Sequence, residues 1–189
     1  PGAKTISIMQ PYLWPYVGYF QLLALSDVFI VYDYVNFIKK GWINRNRVLG
    51  EQGPILFSVP LQDASQNKTI NNTVLHQTYD IWCGKFLTTL RHCYVGTPQF
   101  KKVFPLIEQV MKSCRTGDSI SDLCLLSLQC VKQYLNLNTQ LRLSSESYTN
   151  QGFKAQNRIL DICKQEQATR YVNFIGGREL YTANELIGQ

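Results

Sequence analysis

The first 33 residues alternate between short apolar runs and an amphipathic segment, and this pattern strongly restricts the fold. Residues 4–10 form a β-branched run that stops at Pro11, which predicts a buried strand. Residues 16–25 carry apolar side chains at helical spacing, and residues 27–33 predict a second strand that is apolar at nearly every position. Strand, helix and strand within about 30 residues predict a βαβ unit with parallel strands.

The rest of the chain extends this α/β pattern. Strands are predicted over residues 56–61, 140–144 and 170–175, and helices over 79–94, 99–113, 119–135 and 154–165. Pro105 should kink or split the helix over 99–113, and Asp118 or Ser119 should cap the helix that follows. The 189 residues are predicted to form a single α/β domain, residues 1–189, with a mostly parallel Rossmann-like sheet and a helical insertion at 79–135.

Composition and motifs argue against several classes of protein. The chain lacks the uninterrupted apolar stretch of about 18 residues that a membrane span requires, so no span is predicted and a cytoplasmic location is expected. The six cysteines include no Cys-x-x-Cys pair and His76 and His92 are isolated, so no metal site is predicted. Nucleotide-binding glycine motifs and a serine nucleophile elbow are absent. The sequence identifies neither a cofactor nor an oligomeric state.

Charge points to an anionic partner. The net charge is +6 with a pI near 9.0, and residues 39–47 contain four basic residues and no acidic one. Arginine binds phosphate and carboxylate groups bidentately, so an anionic or activated small molecule is predicted. On a strand, Trp42, Asn44 and Asn46 would face one side and Arg45 and Arg47 the other, so both rows cannot contact the same ligand. A solvated basic edge strand is the alternative.

Further candidate residues lie where predicted strands end, which is where open α/β sheets bind ligands. Gln10 follows the first strand, and Tyr12 and Trp14 lie in a stiff loop between two prolines. Gly18 removes a side chain where a ligand could approach closely, and Asp33 closes the second strand. The structural alternatives are that the rings cap the core and that Gln10 satisfies backbone groups.

A glycine turn follows the last predicted strand. Gly176-Gly177 could expose backbone N–H groups to an anion, with Arg178 assisting. We expect this turn, the aromatic loop and the asparagine–arginine segment to converge on one cleft.

The same residues match a family pattern. The matching stretches are Gln10-Pro11-Tyr12, Trp14-Pro15, Gly18-Tyr19-Phe20, Ser26-Asp27, Asp33 with Val35, Trp42 with Asn44-Arg45-Asn46, Val59-Pro60, and Gly176-Gly177-Arg178 with Tyr181. On these stretches the chain resembles the WbqC-like family of bacterial proteins.

The resemblance implies a transferase of O-antigen and other surface-polysaccharide biosynthesis, which moves an acyl or aminoacyl group onto an amino sugar or sugar nucleotide. It implies an activated acyl donor and a sugar-bearing acceptor. The resemblance also implies that the chain lacks a C-terminal segment of the family. The catalytic candidates are Asp33, as general base toward an amine, and Lys40; the substrate-binding candidates are Gln10, Tyr12, Trp14, Gly18, Asn44, Arg45, Asn46, Gly177, Arg178 and Tyr181.

Two other functions stay open. The protein could be a non-catalytic module that binds a sugar nucleotide and needs a partner for chemistry. Single-stranded nucleic acid is a less favoured partner, suggested by Phe37 and Trp42 interleaved with the basic residues.

Overall fold

The computed structural model describes residues 2–153 and 155–174 and shows an α/β protein. Two compact units form: the sheet unit holds residues 2–10, 16–34 and the described residues from 136 onward, and the helical unit holds residues 11–15 and 35–135. The single domain over residues 1–189 stays a prediction. In chain order the elements are β1 (Thr5–Met9), α1 (Val17–Ala24), β2 (Val28–Val31), β3 (Arg45–Gly50), β4 (Gly53–Ser58), β5 (Leu61–Gln62), β6 (Val74–Leu75), α2 (Tyr79–Tyr94), α3 (Phe100–Ser113), α4 (Ile120–Tyr134), β7 (Gln140–Leu143), α5 (Ser144–Ser147), α6 (Ala155–Gln165) and β8 (Arg170–Tyr171).

The sheet unit contains a four-stranded parallel sheet in the order β7-β2-β1-β8. The β1, α1 and β2 elements form the predicted βαβ unit, in which Ile6 pairs with Val28 and Ile8 pairs with Ile30. The late strands β7 and β8 join this sheet as expected. The structure therefore confirms an α/β fold with a parallel sheet and a helical middle formed by α2, α3 and α4.

Helices cover both faces of this sheet, which explains why β2 is apolar throughout. On one face the Tyr19 ring of α1 lies 5.2 Å from the Phe29 ring of β2. On the other face Ile159 and Ile162 of α6 pack in one cluster with Ile6, Ile8, Val28 and Ile30. All four residues of β2 are buried, as expected for a strand with both faces covered.

Glu166 ties three parts of the sheet unit together. Its carboxylate is 4% exposed and accepts hydrogen bonds from Lys4 Nζ at 2.9 Å, Arg142 Nη1 at 2.6 Å and Tyr148 Oη at 2.6 Å. Burial opposes ionisation of Glu166, but the hydrogen bonds from Tyr148 and Lys4 and the charge of Arg142 outweigh it and lower its pKa. The ionised carboxylate thus joins the start of β1, β7 and the end of α6.

The helical unit combines the three long helices with two small antiparallel ladders. Strands β3 and β4 form a hairpin in which Arg45 pairs with Ser58 and Gly50 pairs with Gly53. Gly53 has φ 121°, a backbone conformation that favours glycine at this tight turn. The side chains of α2, α3 and α4 pack with the hairpin residues Val48 and Phe57 in one hydrophobic core.

Two local predictions in this unit need correction. The strand predicted over residues 56–61 ends at Ser58, and β5 begins at Leu61, because Pro60 has no N–H to donate to a ladder. Helix α3 runs unbroken through Pro105, so the predicted split is wrong. Pro105 removes only the hydrogen bond to the carbonyl of Lys101, close to the start of the helix. The predicted cap is confirmed, since Ser119 Oγ accepts from the Ser121 N–H at 3.1 Å.

Within the part of the chain that the structure describes, no helix combines the length and apolar character needed to cross a membrane.

Candidate functional site

Strand order locates a candidate site in the sheet unit. The chain starts at β1 in the interior of the sheet, proceeds through β2 to β7 on one side, and returns to β8 on the other side of β1. The direction of winding therefore reverses between β1 and β8. Ligands of open α/β sheets bind at the carboxyl ends of the strands beside such a reversal. Gln10 directly follows β1, and residues 172–174 directly follow β8.

The side-chain amide of Gln10 lies at this reversal point. Its backbone carbonyl accepts from Tyr19 Oη at 2.8 Å, which anchors the end of β1 to α1. Gln10 is half-buried, and no described residue hydrogen-bonds its side chain. The amide is therefore available both to donate to and accept from a ligand.

Gly18 makes room for an aromatic ring in the same region. A Cβ at Gly18 would lie 2.3 Å from Cε2 of Tyr16, so any larger residue would displace that ring. The Tyr16 ring is exposed, and its centroid lies 5.8 Å from the ring centroid of Phe174 after β8. The glycine therefore seats Tyr16 against Phe174. Direct contact between Gly18 and a substrate stays a prediction.

Asp33 lies at the end of β2 and is completely buried. Its Oδ1 accepts from Ser144 Oγ and from the Ser145 N–H, both at 2.9 Å, and its Oδ2 accepts from Ser145 Oγ at 2.6 Å. The Asp33 N–H in turn donates to Ser144 Oγ at 3.1 Å. These bonds join the end of β2 to the first two residues of α5. The role of Asp33 as a general base stays a prediction.

The two asparagines of the basic segment bind backbone of the helical unit. Asn44 Nδ2 donates to the Val59 carbonyl at 2.9 Å, and Asn46 Nδ2 donates to the carbonyls of Leu13 at 3.2 Å and Trp14 at 2.6 Å. Asn46 Oδ1 accepts from the N–H of Arg47 at 2.8 Å. Both amides thus hold loop backbone in place, which accounts for two asparagines at alternate positions.

The loop held by Asn46 is strained. Trp14 has φ 50°, a left-handed conformation that costs about 1–3 kcal/mol for a non-glycine residue. Its indole Nε1 is buried and has no hydrogen-bond partner among the described residues. Tyr12 and Trp14 both pack against the core of the helical unit, as the structural alternative expected. Their substrate-binding role stays a prediction.

The arginines face away from the asparagines and gather around Trp42. The guanidinium carbons of Arg45 and Arg47 lie 5.9 and 5.3 Å from the Trp42 ring centroid, and this tryptophan is 42% exposed. Arg45 Nε also donates to the Gly41 carbonyl at 3.0 Å, and its Nη2 donates to the carbonyl of Lys40. Lys40 itself is exposed and has φ 61°. Of the two rows predicted from the strand pattern, the arginine row forms the cationic surface. The prediction that Trp42 shares the asparagine side is wrong, because Trp42 precedes β3 and its ring packs with the arginines.

Each unit brings together part of the predicted set. In the sheet unit Gln10 and Gly18 lie near the reversal point, and Asp33 follows the neighbouring strand β2. In the helical unit Asn46 donates to the Trp14 carbonyl, and Arg45 donates to the Lys40 carbonyl. Convergence of all these residues on one cleft stays a prediction. Gly177, Arg178 and Tyr181 lie outside the described residues.

The cysteines and potential metal ligands lie mostly apart from the candidate residues above. The structure has all six cysteines as free thiols. Burial raises the pKa of five thiols, those of Cys83, Cys114, Cys124, Cys130 and Cys163. The pKa rises to about 12 for Cys114 and to about 11 for Cys163, which disfavours the nucleophilic thiolate. Over residues 2–153 and 155–174 no group of three metal-binding side chains occurs.

Sequence reasoning missed Arg158 and the Ser144-Ser145 pair. Arg158 is buried, which is uncommon for an arginine, and contacts residues that follow β2. In the sequence it stands in an ordinary amphipathic helix, where a basic residue is normally solvated. The serines lie 111 positions or more from Asp33, so only the folded chain reveals their contact.

Comparison with known proteins adds a family. The sequence matches the WbqC-like protein family over residues 10–188. It is also 29% identical over 172 residues to an uncharacterized protein of Mycobacterium tuberculosis, in an alignment that covers 90% of this chain and 72% of the mycobacterial protein.

Proposed function

Because the chain belongs to the WbqC-like protein family, we propose that it is a transferase of bacterial surface-glycan and O-antigen biosynthesis. In this proposal it moves an acyl or aminoacyl group from an activated donor onto an amino sugar or a sugar nucleotide. The family resemblance of the sequence motifs supplies the reaction class. The reversal of strand order in the sheet supports a substrate site at the carboxyl ends of β1 and β8.

The observation that carries the proposal is the reversal of strand order between β1 and β8. Gln10 follows β1 at that point, and no described residue hydrogen-bonds its amide; the aromatic pair of Tyr16 and Phe174 lies at the start of α1 and after β8. An amide and two rings suit the polar groups and flat faces of a sugar or a nucleoside. In the sequence, Gly177 and Arg178 follow β8 by a few residues, and we propose that they bind the anionic group.

We further propose that Asp33 is the general base. An amine acceptor attacks the acyl carbon, a new N–C bond forms, the bond to the leaving group breaks, and the amine proton passes to the carboxylate. Oδ2 suits this role better than Oδ1, because it accepts one hydrogen bond where Oδ1 accepts two. Lys40 is proposed to stabilise the departing group through its charge.

A paired comparison of variants tests the enzyme. Purified protein is titrated calorimetrically with sugar nucleotides and with acyl donors, and turnover is then followed by mass spectrometry of the acceptor. Asp33→Asn should retain ligand binding and lose turnover. Ser145→Ala is the control, because it removes a donor to the same carboxylate without removing the carboxylate. Equal turnover of Asp33→Asn and the wild type would remove Asp33 from the mechanism.

A second function is favoured by the same hydrogen bonds. The Asp33 carboxylate accepts three hydrogen bonds and is inaccessible to solvent, which is typical of a structural carboxylate. A protein that binds a sugar nucleotide without catalysis would use Asp33 only to hold β2 and α5 together. In that case Asp33→Asn and Ser145→Ala should both lower the melting temperature, and no donor should give a product.

A further inference from the structure

Arg158 is a buried cation that forms no ion pair with any residue the structure describes. It is 4% exposed and is the fourth residue of α6. Its Nε donates to Asn150 Oδ1 at 3.0 Å, and its Nη1 donates to the backbone carbonyl of Tyr34. Among the described residues no carboxylate forms an ion pair with it. Its Nη2 is buried and has no hydrogen-bond partner in that same part of the chain.

Asp161 is connected to Arg158 only through the Asn150 amide. Asn150 Nδ2 donates to Asp161 Oδ2 at 2.6 Å, while Asn150 Oδ1 accepts from Arg158. The same Asp161 oxygen also accepts from Gln165 Nε2 at 2.7 Å. The Asp161 carboxylate is therefore engaged by neutral amides, and the buried guanidinium lacks the direct partner that buried charges normally have.

The position of Arg158 in its helix makes the missing partner more costly. The first turn of α6 contains no acidic residue. The N-terminal end of a helix is positive, so a cation in the first turn is disfavoured there and an anion is favoured. Both the side chain and the helix end therefore create a positive potential at one place.

Two tyrosine rings hold the guanidinium. Its carbon lies 5.0 Å from the Tyr32 ring centroid and 4.8 Å from the Tyr34 ring centroid, within the range of cation–π attraction. Both tyrosines are half-buried, whereas Arg158 is buried. Both follow β2 closely, at the carboxyl edge of the parallel sheet where ligands bind in this class of fold.

From this geometry we infer that Arg158 is the recognition group of an oxyanion-binding site at the end of β2. The ligand group is a phosphate or a carboxylate that accepts hydrogen bonds from the two N–H bonds of Nη2. Such an anion supplies the counter-charge that the described residues do not, and a charge-assisted bond to a desolvated guanidinium is strong. This site depends only on the contacts of Arg158 and not on the proposed transfer reaction.

Anion-dependent thermal stability tests the site in the full-length protein. Melting temperatures are measured with increasing sodium phosphate, and separately with sodium acetate, against sodium chloride at equal ionic strength. The wild type should show a saturable increase with at least one of the two oxyanions, because a ligand that binds only the folded state stabilises it. Arg158→Gln should weaken the apparent affinity about tenfold or more, since it removes the charged donor.

Arg91→Gln provides a matched control. The guanidinium carbon of Arg91 also lies over an aromatic ring, 4.6 Å from the Phe104 ring centroid, but Arg91 is exposed. This variant lowers the net charge by the same amount and should keep the full response. A response to phosphate alone assigns a phosphate ligand, and a response to acetate alone assigns a carboxylate.

The proposal is overturned if neither oxyanion raises the melting temperature, or if Arg158→Gln responds like the wild type. Should Arg158→Gln fail to fold, wild-type crystals soaked in phosphate and in acetate decide the question. An oxyanion oxygen at about 3 Å from Nη2 supports the site, and an unoccupied Nη2 in both soaks refutes it.

Discussion

Replacing Asn46 tests whether the conspicuous asparagine of the basic segment holds the aromatic loop rather than a ligand. Its side-chain amide donates to the carbonyls of Leu13 and Trp14, and its side-chain oxygen accepts from the N–H of Arg47. Asn46→Ala removes all three bonds, and the Leu13 carbonyl belongs to a fully buried residue. At about 1 kcal/mol net for each bond, the expected loss in the free energy of unfolding is about 2–3 kcal/mol.

Asn46→Asp isolates the donated bonds. The aspartate keeps an oxygen for the Arg47 N–H but places a second, charged oxygen within hydrogen-bonding distance of two carbonyl oxygens. Repulsion replaces attraction there, so we expect this variant to lose more stability than Asn46→Ala despite its nearly identical shape. The strained φ of Trp14 adds to the effect, because the amide no longer offsets the strain.

Urea denaturation followed by tryptophan fluorescence suits this test. All three tryptophans lie in the helical unit, so the signal reports the unit that contains Asn46. Asn72→Ala is the control, because Asn72 is exposed and makes a local bond of 2.8 Å to Thr69 Oγ1; its loss should be below about 0.5 kcal/mol. If Asn46→Asp unfolded at the same urea concentration as the wild type, the amide would not hold the loop.

Two further substitutions probe the sheet unit and the cationic surface. Glu166→Gln should destabilise the protein by about 2 kcal/mol at pH 7, since it removes a buried carboxylate from two half-exposed cations. Folding lowers the pKa of Glu166, so its contribution to the free energy of unfolding is complete above the unfolded pKa of about 4.3 and is lost as pH falls through the folded pKa. The wild type and Glu166→Gln should therefore have equal stability in acid, measured by circular dichroism during unfolding. Trp42→Ala should cost less than about 1 kcal/mol, because an exposed ring makes weak cation–π contacts. We expect no Trp42-dependent binding of a labelled single-stranded oligonucleotide in fluorescence anisotropy at two salt concentrations; a clear loss of binding in Trp42→Ala would favour the nucleic-acid function.

The amino-acid sequence by itself determined the elements and the class of fold. Strand β2 and helices α2, α3 and α4 could be predicted to within a few residues, because hydrophobic periodicity and turn residues act over short distances along the chain. Ser119 could be predicted as a cap for the same reason. The family motifs also lie in the sequence itself, so family membership needed no coordinates.

Only the tertiary structure decided what the candidate side chains do. Asn46 could be placed on a strand face from the sequence, but the carbonyls to which it donates lie more than 30 positions away. The side-chain partners of Asp33 lie 111 positions away or more. Arg158 is buried only because α6 packs at the end of β2, beside Tyr32 and Tyr34. Local patterns specify helix and strand, whereas burial, hydrogen-bond partners and unpaired charge arise from contacts between distant segments.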